Sequence, residues 1–347
     1  MTAEAGTGQM HLSSIEQHDQ RGSPADDAGM ALPDPPSPHW RRAALAWSTL
    51  VLLVGLGVTW GVHQQQRERA QAEWTARNDA VAQSVYGELR ARLENAENLL
   101  RATQSLFLAS EDVSRGEFAG FYANMHPRDS LPGLVALAYA VREPSADGVR
   151  YFTRWAEPED GNDAVLGLDV GRQPRNMAGL IASRDEDQIV MSAPFRLIQT
   201  GPGPANGVTL RLPIFSGGAA PLDVTERRAR ELGSMAISLR IDTLIAGTLP
   251  IGSEQALRLK VVDVGALDAQ PVYDSLQGQP DPPLADGYHF TRQLAYGGRT
   301  WQVSLDEIAL MPALSGWIML AAGSLASLLL AALVLVLMSL RQRALIS

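Results

Sequence analysis

Six residues of the 347-residue chain combine recognition chemistry with an alternating, strand-like setting: Tyr139, Trp155, Ser192, Arg196, Thr209 and Arg211. Each is polar or aromatic and lies on a segment whose opposite face reads as core. A few converging polar groups over an apolar floor are the usual make-up of a small-molecule site. Arg196 and Arg211 each carry a planar fork that can hold a carboxylate through two parallel hydrogen bonds. The plainer reading keeps Tyr139 and Trp155 as core and both arginines as exposed strand residues. Catalytic signatures are missing from the sequence. The six histidines (His11, His18, His39, His63, His126 and His289) include no pair with metal-ligand spacing. Neither a G-x-S-x-G elbow nor a phosphate loop is present. Zero cysteines exclude disulfides, thiolate metal sites and thiol nucleophiles, and Lys260 is the single lysine that could form a Schiff base. Asp185, Glu186 and Asp187 read as a solvated turn after a helix rather than a cation site. Glu111 and Asp112 read as the end of a helix. We therefore expect no enzyme activity, no metal and no cofactor. A net charge of −9 argues against a nucleic-acid partner.

The elements that must position these residues follow from periodicity. From about Gln64 to Ser110, apolar residues recur at spacings of seven, four and three: Trp74, Val81, Val85, Leu89, Leu93, Ala96, Leu100, Thr103 and Phe107. That is one stripe on one long helix. It suits pairing with a second copy near the membrane and docking on its own domain farther out. Beyond Leu131 the pattern becomes strands. LVALAYAV (134–141) is a continuous apolar run, like a central strand. Val208 to Ile214, Met235 to Ile241 and Trp301 to Leu305 alternate apolar with polar, which predicts sheets with one face on a core and the other partly open. Pro174 suits the first turn of a helix PRNMAGLIAS, and Asp242 suits the cap of DTLIAGTL.

Charged residues make up only 19% of the chain, because apolar blocks flank this region. Residues 43–62 and 313–340 carry no charge, and about 20 helical residues cross a hydrocarbon core. Trp40, Trp47, Trp60 and Trp317 stand near their ends, as interfacial anchors do. The first run lies behind 42 polar residues and lacks a small-residue cleavage site, so it reads as an uncleaved anchor. Arg41 and Arg42 before it, with Arg341 and Arg343 after the second run, favour both termini in the cytoplasm and residues 63–312 in the periplasm. Gly57 and Gly61, and the series Gly323, Ser327 and Ala331, are small-residue ladders suited to helix contact in lipid.

Five segments, in order, carry a family resemblance: EFAGFYANMHPRDSLPGLVALAYAVR (117–142), WAEPEDGNDAVLGLDV (155–170), IVMSAPFRLIQT (189–200), VTLRLPIF (208–215) and GSMAISLRIDTLIAGTL (233–249). Together, between two membrane runs, they resemble CHASE domains, the extracellular sensory domains of cyclases and histidine kinases. The resemblance covers about residues 100–305. It implies an α+β fold, with a long N-terminal stalk helix followed by two PAS-like antiparallel-sheet units and flanked by two transmembrane helices. The expected order is a disordered cytoplasmic tail (1–42), transmembrane helix (43–62), stalk (63–110), membrane-distal unit (111–250), membrane-proximal unit (251–312), transmembrane helix (313–340) and short tail (341–347). The resemblance also implies a small ligand in the distal unit.

The chain departs from the family pattern in three places. Only EPSADGV separates Arg142 from Arg150, where relatives carry a helical stretch, so one pocket wall should be trimmed. The acidic residue that cytokinin receptors use falls near Val149, and Asp147 does not inherit its role. After Leu340 only RQRALIS follows, so the expected output passes through a separate cytoplasmic or membrane partner, or the chain is a truncated relative of a longer receptor. The leading expectation is a two-pass inner-membrane sensor, homodimeric, binding a small ligand. The alternative is a non-catalytic envelope protein that binds another protein and keeps a vestigial pocket.

Overall fold

A computed structural model describes residues 39–146, 148–200, 206–254, 256–265, 269–279, 283–309 and 315–344. The tail up to residue 38, Asp147, most of the GPGPANG loop and the last three residues lie outside it. The chain divides into two units, one of Met1–Thr59 with Ala321–Ser347 and one of Trp60–Leu320. Helix α1 (His39–Ala109) contributes to both.

The second unit begins with the apolar stripe on α1. Val85, Leu89, Leu93, Ala96, Leu100 and Thr103 are buried, whereas Trp74, Val81 and Phe107 are half-buried. Full burial of a leucine is worth roughly 1.5–3 kcal/mol, whereas the ion pairs Arg90–Glu94 and Arg101–Glu97 are exposed and screened by solvent. Apolar burial therefore fixes which face of α1 docks. Helix α2 (Arg115–Met125) starts at a capping box, in which Ser114 and Glu117 satisfy each other's backbone N–H. It ends at His126, and α3 (Pro127–Ser130) leads into the first sheet.

That sheet contains β1 (Leu134–Ser145), β2 (Gly148–Glu157), β3 (Val190–Met191), β4 (Phe195–Arg196), β5 (Asn206–Phe215) and β6 (Glu231–Arg240). Its order is β2-β1-β6-β5-β3, with β4 also on β5, and every pairing is antiparallel. The shortened segment after Arg142 closes as a hairpin, with Ser145 opposite Gly148. Helix α4 (Pro174–Glu186) crosses one face and α1 packs on the other. The expectation of a half-open sheet is therefore corrected for its centre. From Val208 to Phe215 and from Gly233 to Leu239 both faces of β5 and β6 are buried, because α4 covers what alternation suggested was solvent.

Two short helices flank β6 in sequence, α5 (Val224–Arg230) before it and α6 (Ile241–Ile245) after it. Arg240, not Asp242, occupies the N-cap of α6, and Asp242 instead accepts from the backbone N–H of Thr243. The second sheet contains β7 (Leu257–Asp263), β8 (Gln270–Asp274), β9 (Leu284–Tyr296) and β10 (Arg299–Ile308), in the order β8-β7-β10-β9. Its inner residues Leu259, Val261, Trp301, Val303 and Leu305 share the core that α1 closes. Tyr288 donates to Asp79 (2.8 Å) and Tyr296 to the Leu93 carbonyl (3.0 Å), which ties β9 to the stalk. The structure is thus α+β, with a long helix and two antiparallel sheets.

In the first unit, α7 (Ser315–Ala344) packs on the start of α1. Both helices contain stretches long and apolar enough to cross a membrane. Gly55 lies against Ser327 and Gly323 against Thr59, and Ser48 donates to the Ala331 carbonyl (2.9 Å). The ladder Gly323–Ser327–Ala331 is thus used within the chain. Gly57 and Gly61 face open space, so of the two glycine ladders only the second meets a helix here.

Candidate functional site

Five of the six residues singled out in the sequence divide between the two faces of the first sheet. Register explains the division. Tyr139, Met235 and Leu212 form one row across β1, β6 and β5, on the α1 face. Ala138, Ala236 and Arg211 form the next row, on the α4 face.

On the α4 face, Ser192, Thr209 and Arg211 form a buried polar network with Asn176, which the sequence reading missed. Asn176 Oδ1 accepts from the Thr209 hydroxyl (2.8 Å) and from Arg211 Nε (2.9 Å), while its amide donates to Gln173 Oε1 (2.7 Å). Ser192 Oγ accepts from the Thr209 backbone N–H (3.0 Å). Asn176 belongs to the buried stripe of α4 with Gly179, Leu180 and Ser183, so its helical spacing was the available signal. Arg211 is 3% exposed, and its Nη1 has no hydrogen-bond partner. Burial pulls its pKa down to about 10.

The same face holds Glu231, also missed. Its side chain is fully buried, accepts from Tyr151 and stands 3.8 Å from Arg184. Its second oxygen, Oε1, has no partner. Burial pushes its pKa up to about 7, against the hydroxyl of Tyr151 and the charges of Arg184 and Arg142, which pull it down. Burial and the nearby Glu231 push Tyr151 up to about 12. Nearby, Asp185 is an anchor rather than a solvated turn residue. Hydrogen bonds from Arg228 and Arg184, against the cost of burial, hold its carboxyl well below the usual range.

On the α1 face, Tyr139 and Trp155 lie opposite each other, with ring centroids 5.4 Å apart. Phe107 of α1 stands 4.6 Å from Tyr139 and 6.0 Å from Trp155. These rings line a cavity of about 630 Å³ at the end of α1, together with Glu111, Asp112 and Arg154. Two β-bulges shape it. On β2 the register slips between Tyr139 and Ala140, leaving Arg154 as the extra residue. On β6 it slips between Ile214 and Phe215, leaving Leu232 as the extra residue. Each bulge reverses the alternation beyond it. Trp155, which strict alternation would put on the side of Tyr151, crosses to the α1 face. Glu231 crosses the other way, to meet Tyr151. Arg196 joins neither group; it sits exposed on β4 opposite Asn206.

A backbone hydrogen bond joins the two sheets at the turn between β9 and β10. Met191 donates its backbone N–H to the Gly297 carbonyl (2.7 Å). Gly297 has φ +57°, and a Cβ there would lie 2.8 Å from the Met191 nitrogen. Only glycine fits that approach without strain.

Residues 143–273 match the family model described as CHASE domain. Over that stretch the chain is similar to CHASE domains. The match is narrower than the resemblance read from the motifs, which began near residue 100. The α4-face network of Asn176, Ser192, Thr209, Arg211 and Glu231 lies inside the matched CHASE segment. Phe107, Glu111, Asp112 and Tyr139, which build the α1-face cavity, lie ahead of it. Among solved structures, one match is the crystal structure of the periplasmic sensory domain of the Campylobacter jejuni chemoreceptor Tlp1. It is 12% identical, covers 70% of this chain and 95% of that one, and has a TM-score of 0.40. No curated protein matches. Two helices apolar enough to span a membrane flank the matched segment in sequence, as expected of a membrane-bound sensory protein.

Proposed function

We infer that the chain is a two-pass membrane sensor whose first sheet binds a small carboxylate-bearing ligand on the α4 face. The observation that carries this reading is the open Nη1 of Arg211, a buried guanidinium whose fork is only half used. A buried donor without an acceptor costs about 1–3 kcal/mol, more when charged, and a carboxylate would remove that cost. Arg142 Nε, buried without a partner and close enough to act on Glu231, adds a second unfilled donor on the same side. The Arg211 edge is sealed from solvent, so a ligand would reach it as α4 moves and would favour the conformation that admits it.

Movement at Ser192 and Met191 would pass to the second sheet through the Met191–Gly297 contact, and from β10 along the chain toward α7. In this reading residues 63–312 face the periplasm and both termini lie in the cytoplasm. Two copies pair through the membrane-near part of the stalk, and a separate protein reads the signal. The arginine pairs next to the two spans support the orientation.

Titration calorimetry on the full chain in lipid nanodiscs, with acetate, succinate and benzoate as probes, tests the binding step. Saturable binding of one of them is expected. Arg211→Gln and the milder Thr209→Val should both weaken it, the first by about tenfold or more. Absence of heat with all three probes would overturn the reading and leave a protein-binding envelope module as the better account.

A further inference from the structure

The α1-face cavity is separated from Arg211 by the sheet itself and answers to different chemistry. Its floor is aromatic, formed by Phe107, Tyr139 and Trp155. Its rim carries charges of both signs. Glu111 and Asp112 supply the negative charges, from the segment that follows α1. Arg154 supplies the positive one, from the bulge in β2, with its guanidinium 5.5 Å from the Trp155 ring centroid. None of these three charges forms an ion pair among the described residues, and they do not pair with one another. Opposite charges on one cavity that do not meet leave a gap of the kind a molecule carrying both charges would span. The last turn of α1 contains no basic residue, so its free carbonyls add negative potential beside Glu111 and Asp112. At about 630 Å³ the space lies within the roughly 300–1,000 Å³ of small-molecule sites.

We propose that this cavity is a second, separate ligand site, which takes a small zwitterion with an apolar or aromatic body. The ammonium group lies toward Glu111 and Asp112, the carboxylate toward Arg154, and the body on the Phe107–Tyr139–Trp155 floor. Phe107 and Leu108 belong to α1, so an occupant touches the stalk directly and not by way of the second sheet.

Three probes that share a ring separate the charge requirements: phenylalanine, phenethylamine and phenylacetate, each titrated into the full chain in nanodiscs. Phenylalanine is expected to bind at least about tenfold more tightly than either singly charged probe, since each loses one charged hydrogen-bonding partner. Arg154→Gln and the pair Glu111→Gln with Asp112→Asn alter exposed side chains, so folding should survive; an unchanged melting temperature checks this. Each should weaken phenylalanine binding by about tenfold or more, and Arg211→Gln should leave it unchanged. Equal binding of the three probes, no phenylalanine binding, or phenylalanine binding indifferent to Arg154→Gln would overturn the assignment. A phenylacetate signal lost in Arg211→Gln and kept in Arg154→Gln, without a phenylalanine signal, would support the α4-face site and refute this one.

Discussion

Replacing Glu231 by glutamine should stabilise the protein, by an amount that grows as the pH rises from about 4.5 to 7. The Glu231 side chain is fully buried, and its pKa is raised from 4.5 to about 7, chiefly by burial. A carboxyl that holds its proton more tightly when folded favours folding while the proton is bound. Below about pH 4.5 both states are protonated and the residue costs nothing. Between about pH 4.5 and 7 the unfolded chain ionises first and stability falls. Above about pH 7 the full penalty applies. At about 1.4 kcal/mol per pH unit, that interval corresponds to about 3 kcal/mol. Glutamine keeps the shape and an acceptor for the Tyr151 hydroxyl, but gives up the attraction to Arg184 at 3.8 Å. We expect a net gain of roughly 1–2 kcal/mol at pH 8 and none at pH 4.5. Urea unfolding of the full chain in detergent, followed by tryptophan fluorescence from pH 4.5 to 8.5, measures it. The midpoint difference between variant and parent should open through that window. A difference that stays constant with pH, or a variant less stable than the parent at pH 8, would refute the reasoning. It would mean that Arg142, Arg184 and Arg211 keep Glu231 ionised.

Two further substitutions probe the joint and the second sheet. Gly297→Ala forces a Cβ to 2.8 Å from the Met191 nitrogen at φ +57°, and should cost about 2–3 kcal/mol with faster amide exchange at Met191; Gly298→Ala, with open space around it, should cost only about 1 kcal/mol. Asp263 is fully buried and accepts from Arg299, so Asp263→Asn should cost about 3–5 kcal/mol and lower the melting temperature by several degrees. Adding Arg299→Met should restore part of the loss, and no restoration would mean that the pair does not act as a unit.

Periodicity made the helices and strands legible, because burial of one side leaves a repeat. The α1 stripe, the PRNMAGLIAS helix and the alternation in β5, β6 and β10 all follow from it. What alternation could not show was that α4 seals the far face of β5 and β6, since a buried Thr209 or Arg211 looks like an exposed one when its partner, Asn176, lies more than 30 residues away in sequence. The bulges were less visible still. Arg154 and Leu232 are ordinary strand residues with no turn chemistry, yet each shifts the alternation by one. That shift brings Trp155 to Tyr139 and sends Glu231 to Tyr151. Glu111 and Asp112 read from the sequence as the end of the stalk; in the structure α1 ends at Ala109 and both lie beyond it, on a cavity rim that no spacing announces.

The contact at Gly297 is made of main chain on both sides. A joint that uses an N–H, a carbonyl and a glycine is indifferent to the side chains around it. Residues on either sheet can therefore be exchanged without breaking the link, so long as this one position keeps its lack of a side chain. The side chains on the α4 face and those of the outer strands of the second sheet can vary without touching this hydrogen bond. A first sheet grafted from another protein could make the same hydrogen bond by presenting one backbone amide at the site of Met191.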